Sequence, residues 1–442
     1  MFRRILPLCL AAPLAWAAAP ARAGSDAPPP VPANRTELKQ ALENSKRSTP
    51  RLPLPPVSDE DRARAKKSEL GLVNNGRMRQ YYLPKDVSGG GFLRGTDPAM
   101  SLGYPFQTML FWVVSRGNNC TYCMGHQESK LALAGVKEDV IAALDGDWSE
   151  FTPGERAAFA FANKLTHEPH AITSADLDRL RPYYKDAQIL EAILVVGNFN
   201  AMNRWTGALR IPQEEHRVYL TETAEKFRSM RSRVAPLAEQ EGVSTPAPSR
   251  RPALESRSEV EAALSACRAR SPRLPLVDDK AARAAVPADW DLGSAAVPQW
   301  VRLLATFPVA GPSRVAMHRA AETRGKLDNR LKAEIAWVAA RHDRAWYALA
   351  DARRRLHAFG LNDDQIFALD DPAKAENLSP LERATLAFAK KLTVDPALIT
   401  DGDVAGLRAL TDDFRVAEII HQVTEAAFFD RLTEAAGLAA ED

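Results

Sequence analysis

The residues best suited to chemistry are Cys120 and Cys123, in the run Asn118-Asn119-Cys120-Thr121-Tyr122-Cys123-Met124-Gly125-His126. At the start of a helical stretch, a Cys-x-x-Cys places two sulfurs on one helix face. Such a pair can trade between dithiol and disulfide, chemistry for which a packed core has no use. A cysteine in the first helical turn also feels the positive end of the helix dipole, which favours the thiolate. The thiolate is the nucleophile, and its natural targets are a peroxide oxygen or another disulfide. The second thiol then resolves the oxidised first one. His126, three residues past Cys123, shares the face and can give or take a proton. Glu128 can assist if the helix turns it toward the sulfurs.

Other chemistries compete for the same residues. A static disulfide accounts for the pair without catalysis. A metal site through Cys120, Cys123 and His126 has three candidate ligands and no second Cys-x-x-Cys, so no metal and no cofactor is assigned. Covalent haem needs a histidine directly after the second cysteine, and Met124 stands there. Thiol redox chemistry is the leading expectation, with a small peroxide or disulfide as substrate and a dithiol as reductant.

The elements that position this pair occur twice. Arg35-Thr36-Glu37-Leu38 with Pro50-Arg51-Leu52-Pro53-Leu54 returns as Arg257-Ser258-Glu259-Val260 with Pro272-Arg273-Leu274-Pro275-Leu276. Trp112 to Arg116 returns as Trp337 to Arg341, Thr152-Pro153-Gly154-Glu155 as Ser379-Pro380-Leu381-Glu382, and Lys164-Leu165-Thr166 as Lys391-Leu392-Thr393. Order and spacing hold over roughly 200 residues per half, a domain length. In the second copy both cysteine positions are alanines, Ala345 and Ala348. The expected organisation is a leader at 1–23, a helical domain at 24–233, a Pro/Ser/Ala-rich linker at 234–252 and a second helical domain at 253–442.

Strand signals are nearly absent and helix signals are everywhere. Asn118 or Asn119 is expected to cap the helix carrying Cys120 to Leu133, which stops near Gly135. Thr152 and Ser379 open capping boxes with proline at the first helical position. The fold class is therefore all-α, two tandem helical bundles. Ser88-Gly89-Gly90-Gly91 reads as a loop before the apolar helix from Phe106 to Ser115.

The charge is nearly balanced, with 58 Lys plus Arg against 56 Asp plus Glu. No basic face or arm points to nucleic acid. Arg3-Arg4, an apolar run and Ala21-Arg22-Ala23 read as an export signal, which places the mature chain in an oxidising compartment such as the periplasm and off the membrane. Cys267, the odd thiol after cleavage, reads as a plain buried side chain. Trp112 and Trp337 read as core. Glu191 and Glu418, matched on apolar helices, are expected to pair with arginines. The run Arg341-His342-Asp343-Arg344 reads as a solvated charged turn or as a binding site for an acidic substrate. Asn198, Asn200, Asn203 and Arg204 are candidates to line a thiol pocket.

The apolar helix ending Val113-Val114-Ser115-Arg116, the Asn118-Asn119 lead-in, Cys120-Thr121-Tyr122-Cys123 and the closing Ala132-Leu133-Ala134-Gly135 resemble the AhpD-like branch of the carboxymuconolactone decarboxylase family. The second half resembles the cysteine-free side of that family. The resemblance implies small all-α units that assemble as homo-oligomers, here replaced or supplemented by an internal pseudo-dimer. It implies alkylhydroperoxidase chemistry, a peroxiredoxin-like antioxidant oxidoreductase activity, with Cys123 attacking and Cys120 resolving. The family's relay glutamate falls on Thr108 and its relay histidine on Gln127, neither of which acts as a base at neutral pH. His126, with Glu128, is then the expected substitute. A decarboxylase or isomerase activity on a carboxylated small molecule is the remaining family alternative.

Overall fold

Capped, apolar-striped segments make α-helix the dominant regular structure among the described residues. The computed structural model describes residues 28–88, 97–233, 253–375 and 377–441, and among these it forms α-helices and short 3-10 turns with no strand. The expected leader, the linker at 234–252 and Gly89 to Gly91 lie outside the described residues.

In the first half the elements that matter are α1 (Arg35–Ser45), α2 (Tyr104–Gly117), α3 (Thr121–Leu133), α4 (Pro153–His167) and α5 (Asp186–Leu209). In the second half they are α6 (Arg257–Arg268), α7 (Ala310–Thr323), α8 (Asn329–Asp343), α9 (Trp346–Ala358), α10 (Pro380–Val394) and α11 (Asp413–Ala436). The order repeats, and so do the lengths. α3 and α9 have 13 residues each, α4 and α10 have 15, and α5 and α11 have 24.

Local chemistry sets the starts. In α4 the Glu155 carboxylate accepts the Thr152 amide at 2.9 Å while Thr152 Oγ1 accepts the Glu155 amide at 3.3 Å. Ser379 and Glu382 do the same for α10 at 2.7 and 3.2 Å. These reciprocal bonds satisfy amides that the helix leaves unpaired.

α5 and α11 are buried along most of their length, α11 with Glu418, His421, Glu425 and Arg431 among its buried residues. They pack on each other more extensively than any other pair of elements. Gly197 permits the close approach, since a Cβ there would sit 3.2 Å from the Phe428 ring. The crossing is tied reciprocally. Arg204 on α5 donates to the Thr393 carbonyl at 2.9 Å, and Arg431 on α11 donates to the Thr166 carbonyl at 2.7 Å. Thr166 and Thr393 hold matched positions at the ends of α4 and α10.

Trp112 and Trp337 are fully buried, and their indole N–H groups donate to Glu128 (3.1 Å) and Asp370 (2.9 Å). Two sequence expectations change here. Glu191 takes the amides of Ser101 and Leu102 at 2.9 and 3.0 Å, plus the Gln107 side chain at 2.7 Å, rather than an arginine. Glu418 likewise takes the amides of Lys326 and Leu327 at 2.8 and 2.7 Å. The segments entering α2 and α8 carry amides that need acceptors, and these carboxylates supply them. The turn from Arg341 to Arg344 is not solvated either. Arg341 and Asp343 are each 1% exposed. Arg341 pairs with Glu255 (3.1 Å) and Asp370 (2.9 Å), and Asp343 pairs with Arg431 (2.9 Å). Charges can be buried there because each meets a partner. Among the described residues no helix is long and apolar enough to cross a membrane.

Candidate thiol site

α2 ends at Gly117, and the next two residues make the corner into α3. Asn118 turns its side chain inward, with Nδ2 donating to Asn203 Oδ1 at 2.9 Å and Asn200 Oδ1 at 3.1 Å. Asn119 adopts a left-handed backbone (φ 49°), which asparagine tolerates. With Asn118 tied inward and Asn119 making the corner, neither caps α3. The N-cap is Cys120 itself, in extended conformation, and Cys123 lies in the first turn.

Both sulfurs meet one hydroxyl. Thr206 Oγ1 on α5 lies 3.1 Å from Cys120 Sγ and 3.2 Å from Cys123 Sγ. The same oxygen lies 3.0 Å from the Met202 carbonyl. Its single proton can serve that carbonyl while the thiols are neutral and swing to a sulfur once one ionises. Asn203, from the same helix, hydrogen-bonds toward both sulfurs. No disulfide joins Cys120 and Cys123; both thiols are free.

The two thiols differ. Burial opposes ionisation of Cys120, yet hydrogen bonds from the Cys123 thiol, the Thr206 hydroxyl, the Cys123 amide and Asn203 hold its pKa below the usual thiol value. Burial pushes the Cys123 thiol well up, and the bond it gives to Cys120 and the neighbouring charge push it further. Cys120 also borders a partly open cavity of about 260 Å³, together with Asn118, Asn203 and Thr206. Pro396, Ala397 and Ile399 of the second half close part of its wall. Of the pair, Cys120 is the thiol that borders the recess, and Cys123 lies behind it.

His126 and Glu128 stand elsewhere. His126 Nδ1 lies 3.1 Å from Arg217 Nη2, and its ring stacks over Tyr122 with centroids 6.1 Å apart. Arg217 in turn holds Glu214 at 2.6 Å, which accepts the Tyr122 hydroxyl at 2.7 Å. Glu128 accepts a bidentate pair from Arg35 at 2.5 and 3.0 Å, besides the Trp112 indole. Both carboxylate oxygens are thus committed to fastening α1 onto α3. Thr108 donates to the Tyr104 carbonyl at 2.8 Å, and Gln127 is buried at 1% exposure. The groups that hydrogen-bond the sulfurs are neutral amides and hydroxyls.

Thr206 was not singled out by the sequence, although a signal existed: the repeat places Thr433 at the matched position. There Thr433 Oγ1 donates to the Phe429 carbonyl at 2.9 Å, as Thr206 does to Met202. Asn203 takes the expected place beside the thiols, whereas Asn200 sits one layer behind and Arg204 turns to the other half. In the second half Asp343 and Asp430 replace Asn118 and Asn203 around Ala345 and Ala348. Burial, with Asp343 alongside, raises the Asp430 carboxyl well above its usual range. Cys267 is buried, with Sγ 3.6 Å from the Leu438 carbonyl, and burial raises its pKa. Among the described residues no cluster of three or more His, Cys, Asp or Glu is arranged to hold a metal ion.

No family model matches the chain. The chain is similar to the uncharacterized protein YdfG of Bacillus subtilis (strain 168), with 28% identity over 95 residues. That stretch is 21% of this chain and 64% of the relative, so the chain spans less than two thirds of the relative's length.

Proposed function

We propose that this chain is an exported thiol peroxidase or thiol–disulfide oxidoreductase of the AhpD-like kind, working through Cys120 and Cys123. One observation carries the proposal: two free thiols share the Thr206 hydroxyl, and the one with the lowered pKa borders a cavity large enough for a small organic molecule. A packing or stapling role calls for neither the cavity nor the asymmetry. The attacker in this reading is Cys120, opposite to the order the family resemblance implies, because Cys120 is the thiol that borders the cavity.

The reaction balances without a resident cofactor. The Cys120 thiolate attacks the distal oxygen of a hydroperoxide. The O–O bond breaks, the alkoxide takes a proton to leave as alcohol, and Cys120 becomes a sulfenic acid. The Cys123 thiol attacks that sulfur, the S–O bond breaks, and water leaves with the Cys123 proton. The resulting disulfide is reduced by exchange with an external dithiol, which ends as a disulfide itself. The Thr206 proton follows the developing charge on sulfur. No base is required near the sulfurs if Cys120 ionises on its own hydrogen bonds.

The second half reads as a built-in partner copy. The reciprocal Arg204 and Arg431 bonds and the α5–α11 crossing support a pseudo-dimer, and Ile399 with its neighbours supplies a wall of the thiol cavity. The test is hydroperoxide consumption by the purified mature chain with a dithiol reductant. Cys120→Ser is expected to abolish it. Cys123→Ser is expected to permit one round of Cys120 oxidation and no turnover. Turnover equal to wild type in both variants would reject the proposal.

A further inference from the structure

The two halves fill one corner of the fold differently. In the second half Glu434 on α11 turns its carboxylate to the start of α9, where it accepts from the Trp346 amide at 2.7 Å and pairs with Arg270 at 3.1 Å. It is buried. The matched residues of the first half are Gly207, Thr121 and Ser48. No side chain extends from Gly207, and the thiol cavity of about 260 Å³ opens at this corner, with Ser48, Thr121 and Gly207 in its wall beside Cys120. A protein carboxylate in one copy thus corresponds to open space in the other.

The corner has lost the acid and kept the donors. The Thr121 amide opens α3 as the Trp346 amide opens α9, and among the described residues no acceptor meets it. An amide at a helix start favours an anion. Arg51 and Arg210 line the cavity, and no Asp or Glu does. Arg51 is committed to the backbone. It donates to the carbonyls of Gly207 and Ala208, each at 3.0 Å, to that of Ile399 at 2.7 Å, and to Asp401 at 2.8 Å. Its counterpart Arg273 holds the Glu434 and Ala435 carbonyls in the same way.

Arg210 has no such counterpart, because Gly437 stands at its place in the second half. Both positions are left-handed, with φ 48° and 61°. Glycine adopts that backbone freely and arginine at a cost. Arg210 Nε donates to the Thr49 carbonyl at 2.8 Å and Nη2 pairs with Asp401 at 3.0 Å, which leaves Nη1 uncommitted among the described residues. Asp401 meets the two guanidiniums with a single charge, so this wall keeps a net positive charge.

We infer that the thiol cavity is selective for a carboxylate-bearing organic hydroperoxide, whose carboxylate takes the place that Glu434 fills in the second half, accepts from the Thr121 amide and meets the Arg210 guanidinium. The reacting group rests on the thiol peroxidase reading above; the charge preference rests on the cavity. Charge-assisted hydrogen bonds hold the carboxylate, and a neutral hydroperoxide forms none of them. The reaction is the one written above, with a hydroxy acid as the alcohol released.

Two readouts separate the charge from the chemistry. In the Cys123→Ser, Cys267→Ser chain, the rate of Cys120 alkylation by iodoacetate divided by that by iodoacetamide should exceed the same ratio for N-acetylcysteinamide by about fivefold or more. Gly207→Glu installs the acid of the second half, and a Cβ there meets Pro396 at an ordinary contact of 3.9 Å. It should return the ratio to the free-thiol value or below. Arg210→Gly copies Gly437 and relieves the backbone, and it should lower the ratio as well, whereas Arg210→Lys should keep it. In turnover by the full chain with a dithiol, kcat/KM for 4-hydroperoxy-4-methylpentanoate should exceed that for its primary amide by about fivefold or more. A free-thiol ratio in the parent chain, a ratio that neither Gly207→Glu nor Arg210→Gly lowers, or equal turnover of acid and amide would overturn the inference, and turnover of both hydroperoxides would then leave the peroxidase reading standing. A raised ratio with neither hydroperoxide consumed would uphold the carboxylate site and overturn the peroxidase reading instead. If Gly207→Glu loses its cooperative thermal transition, Arg210→Gly decides alone.

Discussion

Replacing Thr206 with valine tests how the thiolate is made. The substitution removes the hydroxyl that lies 3.1 Å from Cys120 Sγ and 3.2 Å from Cys123 Sγ, and it keeps the branched shape on α5. A hydrogen bond to a charged group contributes about 1.5–3 kcal/mol. One pKa unit corresponds to about 1.4 kcal/mol. Losing the donor should therefore raise the Cys120 pKa by about one to two units. The thiolate exists above the pKa, so at a fixed pH below it the thiolate fraction falls by about 10- to 100-fold. The assay is the pH dependence of iodoacetamide alkylation in a Cys123→Ser, Cys267→Ser background, with and without Thr206→Val. The midpoint without the valine should lie below the ordinary thiol value of 9.0 and shift upward with it, and Thr206→Ser should restore it. A midpoint that does not move would refute the role given to the hydroxyl and leave the effect to the Cys123 amide, Asn203 and the helix terminus.

Three further outcomes follow from the same geometry. Installing Ala345→Cys with Ala348→Cys rebuilds the thiol pair under Thr433, but Asp343 and Asp430 oppose a thiolate there. In a chain lacking the native pair it should consume no peroxide, and adding Asp430→Asn should lower the pKa of the new thiol, as read by alkylation. Glu128→Gln weakens the buried partner of Arg35 and should cost about 2–3 kcal/mol in urea unfolding, with Cys120 alkylation unchanged; a loss of thiol reactivity in a fully folded variant would instead make Glu128 a proton relay. Burial lowers the His421 pKa from 6.5 to about 3, with Arg79 and Arg314 adding to it and Glu425 opposing. The unfolded chain takes up this proton below 6.5 and the folded chain does not, so stability is present above that pH and falls on acidification, by about 1.4 kcal/mol per pH unit from this group. His421→Gln should flatten the slope of unfolding free energy against pH across that window.

What could be read from the sequence was local. Thr152 with Glu155 and Ser379 with Glu382 announce helix starts because the cap needs only residues three apart. The all-α class followed from many such signals, and the repeat marked which helices correspond. What could not be read depends on packing between distant segments. Thr206 reaches the sulfurs from a helix that begins more than sixty residues after Cys123, and nothing in its own neighbourhood marks it. Asn118 looked like a cap because asparagine is a good one, but its side chain is claimed by Asn200 and Asn203. Helical spacing and the family's relay pattern both point to His126 and Glu128, and neither reveals that Arg217 and Arg35 hold these side chains. Glu191 and Glu418 were expected to meet arginines, yet loop amides reached them first. The buried ion pairs of Arg341 and Asp343 were invisible for the same reason: their partners Glu255 and Arg431 come from other elements.

The central claim is that Cys120 and Cys123 exchange electrons with a substrate. It is met most directly by adding one equivalent of an organic hydroperoxide to the fully reduced chain and mapping its cysteines by mass spectrometry. The account predicts rapid loss of two thiols, a peptide carrying a Cys120–Cys123 disulfide, an untouched Cys267, and full recovery on adding dithiol. Persistence of both thiols while the hydroperoxide remains unconsumed would contradict it.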